Sequence, residues 1–330
     1  AKERESTKAQ VPELSVVFLG TGARQPTASR GVPATLVIRG AERILVDCGE
    51  GTQRQMLRST AGLHGLSTIL ITHIHGDHVL GLPGLLATFS EVRQEPLLLA
   101  GPHGLREHVD GFRTYFGELA FRLDLREVGP GEVIERAGYR LQALSAEHRG
   151  VALGWALVED ERPGHLDPHE ARRRGVPEGP LLAQLADGHD VEVNGHVIRA
   201  DSVRGPRQHG RRIVFSGDTR PSDDVLLAAR EADLLVHEAT FLSTDRDLAE
   251  ASRHSTAREA ARLAAAAGVR ALALIHHSSR YSDEMVEAEA SRYFPAVMLP
   301  DDFDVVDVPV PEHGTPRLRR SPGSPVSRPR

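Results

Sequence analysis

Cysteine is almost absent from this sequence: Cys48 is the only one in 330 residues. A disulfide framework within the chain is therefore excluded. Aromatic residues make up only 4%, with a single tryptophan, so a core has to be built mainly from Leu, Val, Ile and Ala. An excess of positive charge is also missing. The formal net charge is -6 and the pI near 6.3, which excludes a global basic field for nucleic acid and leaves such a partner only a local patch. No apolar run approaches the length of a membrane span, so no membrane contact is expected. The opening residues AKERESTKAQ are charged and carry no apolar segment of the signal-peptide kind, and the cytoplasm is the expected compartment. What is present is ample apolar material. At 40% hydrophobic, the chain can bury one large core or two modest ones.

The patterning is that of a mixed α/β chain. LSVVFLG (14–20), ATLVIRG and RILVDCG read as strands, the last two separated by a Gly-Ala turn. TQRQMLRST has helical spacing, STILITH is a strand, and a helix is expected from about Val79. PLLLAG and GYRLQALSAEH read as further strands. Over residues 159–211 Pro, Gly, Arg and Asp accumulate with no sustained apolar period, which marks an arm or insertion. Regular structure resumes with the strand RRIVFSGDT, the helix SDDVLLAAREA, the strand DLLVHEAT, the helix TAREAARLAAAAG ended by Gly268, and the strand RALALIHH. The expected organisation is a flexible N-terminus over 1–13, one main domain over 14–310 carrying the insertion, and a disordered tail over 311–330. Hairpins dominate the first half and strand–helix alternation the second. A two-sheet α/β sandwich fits that order better than one parallel sheet.

The stretch THIHGDH, Thr72 to His78, concentrates metal-ligand chemistry where a strand runs into a helix. His73 and His75 are two apart, so in an extended segment both face one ion. Asp77 and His78 follow a glycine that can redirect the chain toward a second ion. Further ligand types end other strands: His148 in SAEHRG, Asp218 in FSGDT, and His276 or His277 in ALALIHH. Strand C-termini are where α/β sheets place their sites. Imidazole and carboxylate together suit zinc. Asp47 reads as a support for the metal histidines and Cys48 as a small buried residue.

THIHGDH matches the T-H-x-H-x-D-H signature of the metallo-β-lactamase superfamily, and within it the chain resembles ribonuclease Z, the family of tRNA 3′-processing endonucleases. The likeness runs from FLGTGA at Phe18 to HHSSRY at Tyr281 and includes DCGEGTQRQ, GLPGLL, SGDTRP, HEATF and HSTA. It implies the αββα sandwich with an inserted exosite arm. It also implies two metal ions, zinc or else manganese or iron: one on His73, His75 and His148, the other on Asp77, His78 and the histidine of H-x-S-x-R-Y, which selects His276, with Asp218 bridging. Two such cations activate a shared water and neutralise phosphate oxygens, so the expected reaction is hydroxide attack on the phosphodiester of a precursor tRNA. The 3′ trailer leaves and the tRNA keeps its 3′-hydroxyl. Asp77 orients the nucleophile or takes its proton. His254 of RHSTA, with Glu238 of HEAT as its partner, is the expected acid for the leaving 3′-oxygen; the alternative is that HST simply opens a helix.

The resemblance also addresses how an acidic protein would hold tRNA. The insertion contains Arg172, Arg173 and Arg174 in a row, and GVPEGPL, with Gly179 and Pro180, is similar to the Gly-Pro segment of the family's exosite arm. Such an arm supplies salt-sensitive phosphate contacts that read duplex shape. Arg280 is a further phosphate-binding candidate, with a surface ion pair as the alternative. Many members carry P-x-K-x-R-N after the first strand and use it to reject tRNA ending in CCA. Here the loop reads PTASRG, with Pro26 and Arg30 kept and Ala28 and Gly31 in place of Lys and Asn, so discrimination is expected to be weaker or to rest on other groups. A homodimer is implied for this form of the family. The competing readings are another hydrolase on the same scaffold, such as a cyclic-nucleotide phosphodiesterase or an arylsulfatase-like enzyme, and a non-catalytic RNA-binding module. The first needs no arm, and the second leaves buried His and Asp uncompensated.

Overall fold

The computed structural model describes residues 13–321. Two mixed sheets carry the main unit, which comprises Glu13–Val158 together with the chain from Arg211 onward. The first sheet has eight strands. In spatial order they are Arg317–Arg319, Val305–Asp307, Leu14–Gly20, Ala34–Arg39, Glu42–Val46, Leu66–Leu70, Leu97–Gly101 and Leu123–Glu127. The second has seven: Val297–Met298, Leu272–Ile275, Leu234–Glu238, Arg212–Phe215, Leu153–Glu159, Tyr139–Ser145 and Val133–Arg136. Each sheet combines an antiparallel part with a parallel part. Hairpins and crossovers are thus shared between the halves, where the sequence pattern had divided them.

Strand periodicity explains the layering. In Leu14–Gly20, Val16 and Phe18 point to one side and Val17 and Leu19 to the other. The first pair joins the core between the sheets, with Val37, Leu70, Trp155, Phe215 and Val236. The second joins the core under the helices Thr52–Arg58, Leu82–Val92 and Leu105–Phe116. The second sheet packs its outer face on Asp223–Ala228, Ala257–Ala267 and Asp283–Ala290. The middle of each sheet is covered on both faces, which is why inner strands such as Leu97–Gly101 and Leu234–Glu238 are buried along their length. The result is the expected helix–sheet–sheet–helix sandwich. Trp155 is buried at its centre and donates its Nε1–H to the carbonyl of Ile71, 3.1 Å away.

The insertion, Glu159–Gly210, forms a compact unit of its own. It holds the helices Pro168–Arg173 and Pro180–Ala186, a hairpin of Val191–Val193 with His196–Ile198, and a small core around Ala171, Val176, Leu185 and Val203. Just outside it, Val158 and Arg212 stand opposite each other on antiparallel strands. The expectation of a disordered tail from Pro311 is corrected for its first part. A short 3₁₀ turn at Pro311–His313 is followed by the edge strand Arg317–Arg319, which pairs with Val305–Asp307. Backbone pairing and the bond from Arg320 to Asp304 at 2.7 Å order a segment whose composition is that of a loop. Residues 322–330 and nearly all of the expected flexible N-terminus lie outside the described residues.

Candidate metal centre

Five strands end at one place. Leu66–Leu70 leads into His73, His75 and the short helix Gly76–Val79 with Asp77 and His78; Tyr139–Ser145 leads to His148; Arg212–Phe215 leads to Asp218; Leu234–Glu238 ends on Glu238; Leu272–Ile275 leads to His276. Two glycines make the approach possible. A Cβ on Gly49 would lie 2.3 Å from the carbonyl oxygen of Asp77, and Gly217 turns the chain at φ 62° immediately before Asp218. Asp47, Arg253 and His276 also hold positive φ, at 61°, 61° and 58°. Such conformations cost non-glycine residues about 1–3 kcal/mol and concentrate where geometry is imposed by function.

Asp218 is the centre of the cluster. Its Oδ2 lies 3.7 Å from His73 Nε2, 3.5 Å from His78 Nε2 and 3.4 Å from His276 Nε2. Asp77 Oδ2 lies 3.6 Å from both His78 Nε2 and His276 Nε2. His73 Nε2 and His75 Nδ1 are 2.9 Å apart. The ligand atoms of His73, His75 and His148 converge, as do those of Asp77, His78 and His276, and those of His73, His78 and Asp218.

Four of the five imidazoles, those of His73, His78, His148 and His276, are oriented by a partner on the far nitrogen. His78 Nδ1–H donates to Asp47 Oδ2 at 2.8 Å, and His148 Nδ1–H to the carbonyl of Arg253 at 2.9 Å. Two relays are alike. His73 Nδ1 meets Thr72 Oγ1 at 3.0 Å, and that hydroxyl donates to Asp47. His276 Nδ1 meets Thr240 Oγ1 at 2.7 Å, and that hydroxyl donates to Glu238 Oε2 at 2.6 Å. Supports of this kind fix the tautomer of a ligating histidine. The inward Nε2 atoms of His78, His148 and His276 are buried without any hydrogen-bond partner. Orphaned buried nitrogens are costly; those of His78 and His276 lie within 3.6 Å of both Asp77 and Asp218, and His148 groups with Asp218. The donor set of imidazole and carboxylate therefore fits borderline divalent cations such as zinc.

The electrostatics are those of a tightly packed mixed cluster. Burial and neighbouring imidazoles push His73 well below the usual histidine range. Burial opposes the charge on Asp218, but His276 and His78 outweigh it and hold this carboxyl well below the carboxylate range. Burial likewise opposes protonation of His254, yet the Glu238 carboxylate, 2.8 Å from Nδ1, lifts it to about 9. His254 stands just ahead of the helix Ala257–Ala267, but the helix is capped by Thr256 and Glu259 in a reciprocal capping box. The ring of His254 is thus free of that duty. It lines a cleft of about 550 Å³ together with Arg24, His75, Asp77, His148 and Thr240.

His277 is directed away from this cluster. Its Nδ1 is 3.6 Å from Asp283. Arg30 is not free for a substrate, which corrects its expected role. Its guanidinium is largely buried and contacts Asp283, Asp301 and Thr21, each at 2.6 Å. Pro26 lines the cleft, while Ala28 and Gly31 belong to the loop beside it. Arg280 is exposed, with no acidic partner among the described residues. In the arm, Arg172 pairs with Glu178, Arg173 with Glu170, and Arg174 with Glu170 at 2.8 Å. Gly179, at φ 121°, precedes Pro180 at the start of a helix. Ten acidic residues against seven arginines make the arm as a whole acidic, and the 172–174 run is the one place where three arginines are consecutive. The residues missed in the sequence are Thr72 and Thr240. HEATF and THIHGDH contain them, but a threonine at a strand end carries no signal of its own.

Residues 29–282 match the metallo-beta-lactamase superfamily, and the chain belongs to it. Among curated relatives, it is 44% identical over 301 residues to the ribonuclease Z of Methanosarcina acetivorans, covering 90% of this chain and 98% of the relative. It is 43% identical over 311 residues to that of Gemmatimonas aurantiaca, covering 91% and 97%. The crystal structure of human tRNase Z, short form, superposes with a TM-score of 0.67 at 28% identity, covering 90% of this chain and all of that one. Within the superfamily the chain is therefore a member of the ribonuclease Z family, an endoribonuclease of the tRNase Z type.

Proposed function

We propose that this chain cleaves precursor tRNA endonucleolytically, removing the 3′ trailer and leaving a 3′-hydroxyl on the tRNA. His73, His75 and His148 would hold one divalent cation, Asp77, His78 and His276 a second, and Asp218 both, with zinc the metal this donor set favours. The observation that carries the reading is Asp218 Oδ2, within 3.4–3.7 Å of three inward-facing Nε2 atoms. When bound, the cations supply an activated water and neutralise phosphate oxygens. The chain's own residues do the rest. Asp77 Oδ2, held by the backbone N–H of Arg24 at 3.0 Å, orients the attacking water and accepts its proton. His254, charged through Glu238, gives a proton to the departing 3′-oxygen, which would otherwise leave as an unstable alkoxide. Arg280 and the Arg172–Arg174 run supply phosphate contacts; the arm's ion pairs are exposed, and such pairs hold their partners by only ~0–1 kcal/mol, so a polyanion can displace them.

Among the described residues no helix is long and apolar enough to cross a membrane, and the reaction is assigned to the cytoplasm. A homodimer is the assembly implied by the family resemblance, and light scattering of the purified chain tests it. The central experiment is cleavage of a 3′-extended tRNA precursor before and after chelation, with metal content measured in parallel. Two ions per chain, loss of cleavage on chelation and recovery with zinc are expected. Cleavage that survives complete metal removal, or a single ion at full activity, refutes the two-metal reading.

A further inference from the structure

A second cleft, of about 540 Å³, adjoins the catalytic one, and the two share Pro26 and Glu50 in their walls. One wall is the Pro26–Gly31 loop, held rigid from beneath by the bonds of Arg30 to Asp283 and Asp301 and by Gly31 N–H to Asp302 at 2.6 Å. The opposite wall is the helix Thr52–Arg58, which presents Arg54 and Arg58. Four residues apart, they share one helix face. Both are exposed, and neither has an acidic partner among the described residues. The cleft's own acids do not cancel them: Asp302 is buried and already accepts from Thr21, Gly31 and Gln55, which leaves only Glu50, at the boundary with the catalytic cleft.

The floor includes Phe303, and its backbone is unusual. It holds φ 72°, a conformation that is a genuine outlier for a bulky residue and that glycine would adopt without strain. Core packing does not explain the ring, which belongs to none of the hydrophobic clusters. It lies under the Arg58 guanidinium, 4.9 Å from the ring centre. Aromatic ring, guanidinium plane and unpaired cations are the parts from which seats for unpaired nucleotides are made: bases stack on flat groups and phosphates meet the cations.

We infer that this second cleft seats the unpaired nucleotides 3′ of the cleaved bond, with a base stacked at Phe303 and Arg58 and the backbone phosphates against Arg54 and Arg58. The inference rests on the function proposed above. A cleft of about 540 Å³ has room for one or two nucleotides and not for a base-paired stem, so the segment it would take is unpaired RNA next to the scissile phosphate. The test uses the full-length, metal-loaded enzyme and precursor tRNAs with trailers of one, three and six nucleotides, at low and high salt. For R54Q/R58Q, KM should rise progressively with trailer length, by about tenfold at three nucleotides or more, and the effect should shrink in high salt. R54K/R58K should recover most of the loss. F303L should lose roughly 5- to 150-fold in kcat/KM on the longer trailers, the range of one stacked base. An equal loss at every trailer length, no loss at all, or weakened binding of tRNA lacking a trailer overturns the inference; the last would put the tRNA side of the cut in this cleft. Failure of the wild-type enzyme to cleave any precursor would instead overturn the proposed function.

Discussion

Replacing Glu238 by glutamine keeps the shape of the side chain and removes its charge. Glu238 is buried, and its two oxygens accept from His254 Nδ1–H at 2.8 Å, Thr219 N–H at 2.8 Å, Thr240 N–H at 3.2 Å and Thr240 Oγ1–H at 2.6 Å. An amide has one acceptor oxygen and an NH₂ group that only donates, so at least one of these donors is opposed. The larger effect is on His254. Its protonation near pH 9 exists because the Glu238 carboxylate outweighs burial. Without that charge, burial is opposed only by the more distant Asp218 carboxylate, 4.0 Å away, and the ring falls toward the ordinary value of about 6.5. At pH 8 the protonated fraction then drops from about nine-tenths to about 3%, roughly a thirtyfold loss of the acid form, on a scale where each pKa unit is about 1.4 kcal/mol. The sign is definite: a general acid acts in its protonated form, so activity is lost as pH rises through its pKa. The alkaline limb of kcat should therefore move to lower pH by about two units in E238Q. The decisive assay compares an ordinary precursor with one carrying sulfur in place of the bridging 3′-oxygen at the cleavage site. A thiolate leaves without a proton, so both E238Q and H254A should be rescued on the sulfur substrate. An alkaline limb that stays in place in E238Q, or an equal defect on both substrates, refutes His254 as the acid and Glu238 as the source of its charge.

D218A should release metal from both positions and reduce cleavage below detection, measured by metal content and turnover; two retained ions with normal turnover would contradict the bridging role. T240V removes the hydroxyl that joins His276 to Glu238, and metal affinity should fall about 10- to 100-fold by competition with a chelating dye. Substituting glutamine at Arg172, Arg173 and Arg174 together should weaken precursor binding and flatten its salt dependence by up to about three phosphate contacts while hydrolysis of a small phosphodiester continues; equal loss on both would make the arm a structural element. R30A should lower thermal stability by about 1–3 kcal/mol, chiefly through buried Asp301, which loses a 2.6 Å partner; a specific loss of CCA rejection at unchanged stability would restore its role in substrate recognition.

Much of the site was legible because ligand types stood at the ends of apolar runs. Asp218 follows Arg212–Phe215 and His276 follows Leu272–Ile275, and both runs are buried strands. The helix end at Gly268 was equally readable, since φ 67° there is what its glycine permits. Other features have no local signature. The edge strands Val297–Met298 and Arg317–Arg319 are short and owe their form to the neighbour they pair with. Arg30 reads as a free cation until the chain brings Asp283 and Asp301 to it from more than 250 residues away. The arm's arginines read as a basic patch because neither the pairing of Glu170 with two of them nor that of Glu178 with the third is visible in composition. Thr72 and Thr240 were hidden for the opposite reason: their neighbours in sequence were the signal, and their hydroxyls matter only once the imidazoles turn toward them.

The antiparallel pair that faces Val158 with Arg212 has a consequence for the history of such a chain. The segment between them departs and returns at two points that the second sheet already holds side by side. Its length is then nearly irrelevant to the rest of the molecule, because closing a loop twice as long costs only about 0.6 kcal/mol more. Ancestors could have lengthened, shortened or exchanged this excursion without shifting a single ligand-bearing strand. A sandwich of this kind is free to acquire, lose or trade such an excursion while the strands that carry its hydrolytic centre stay as they were.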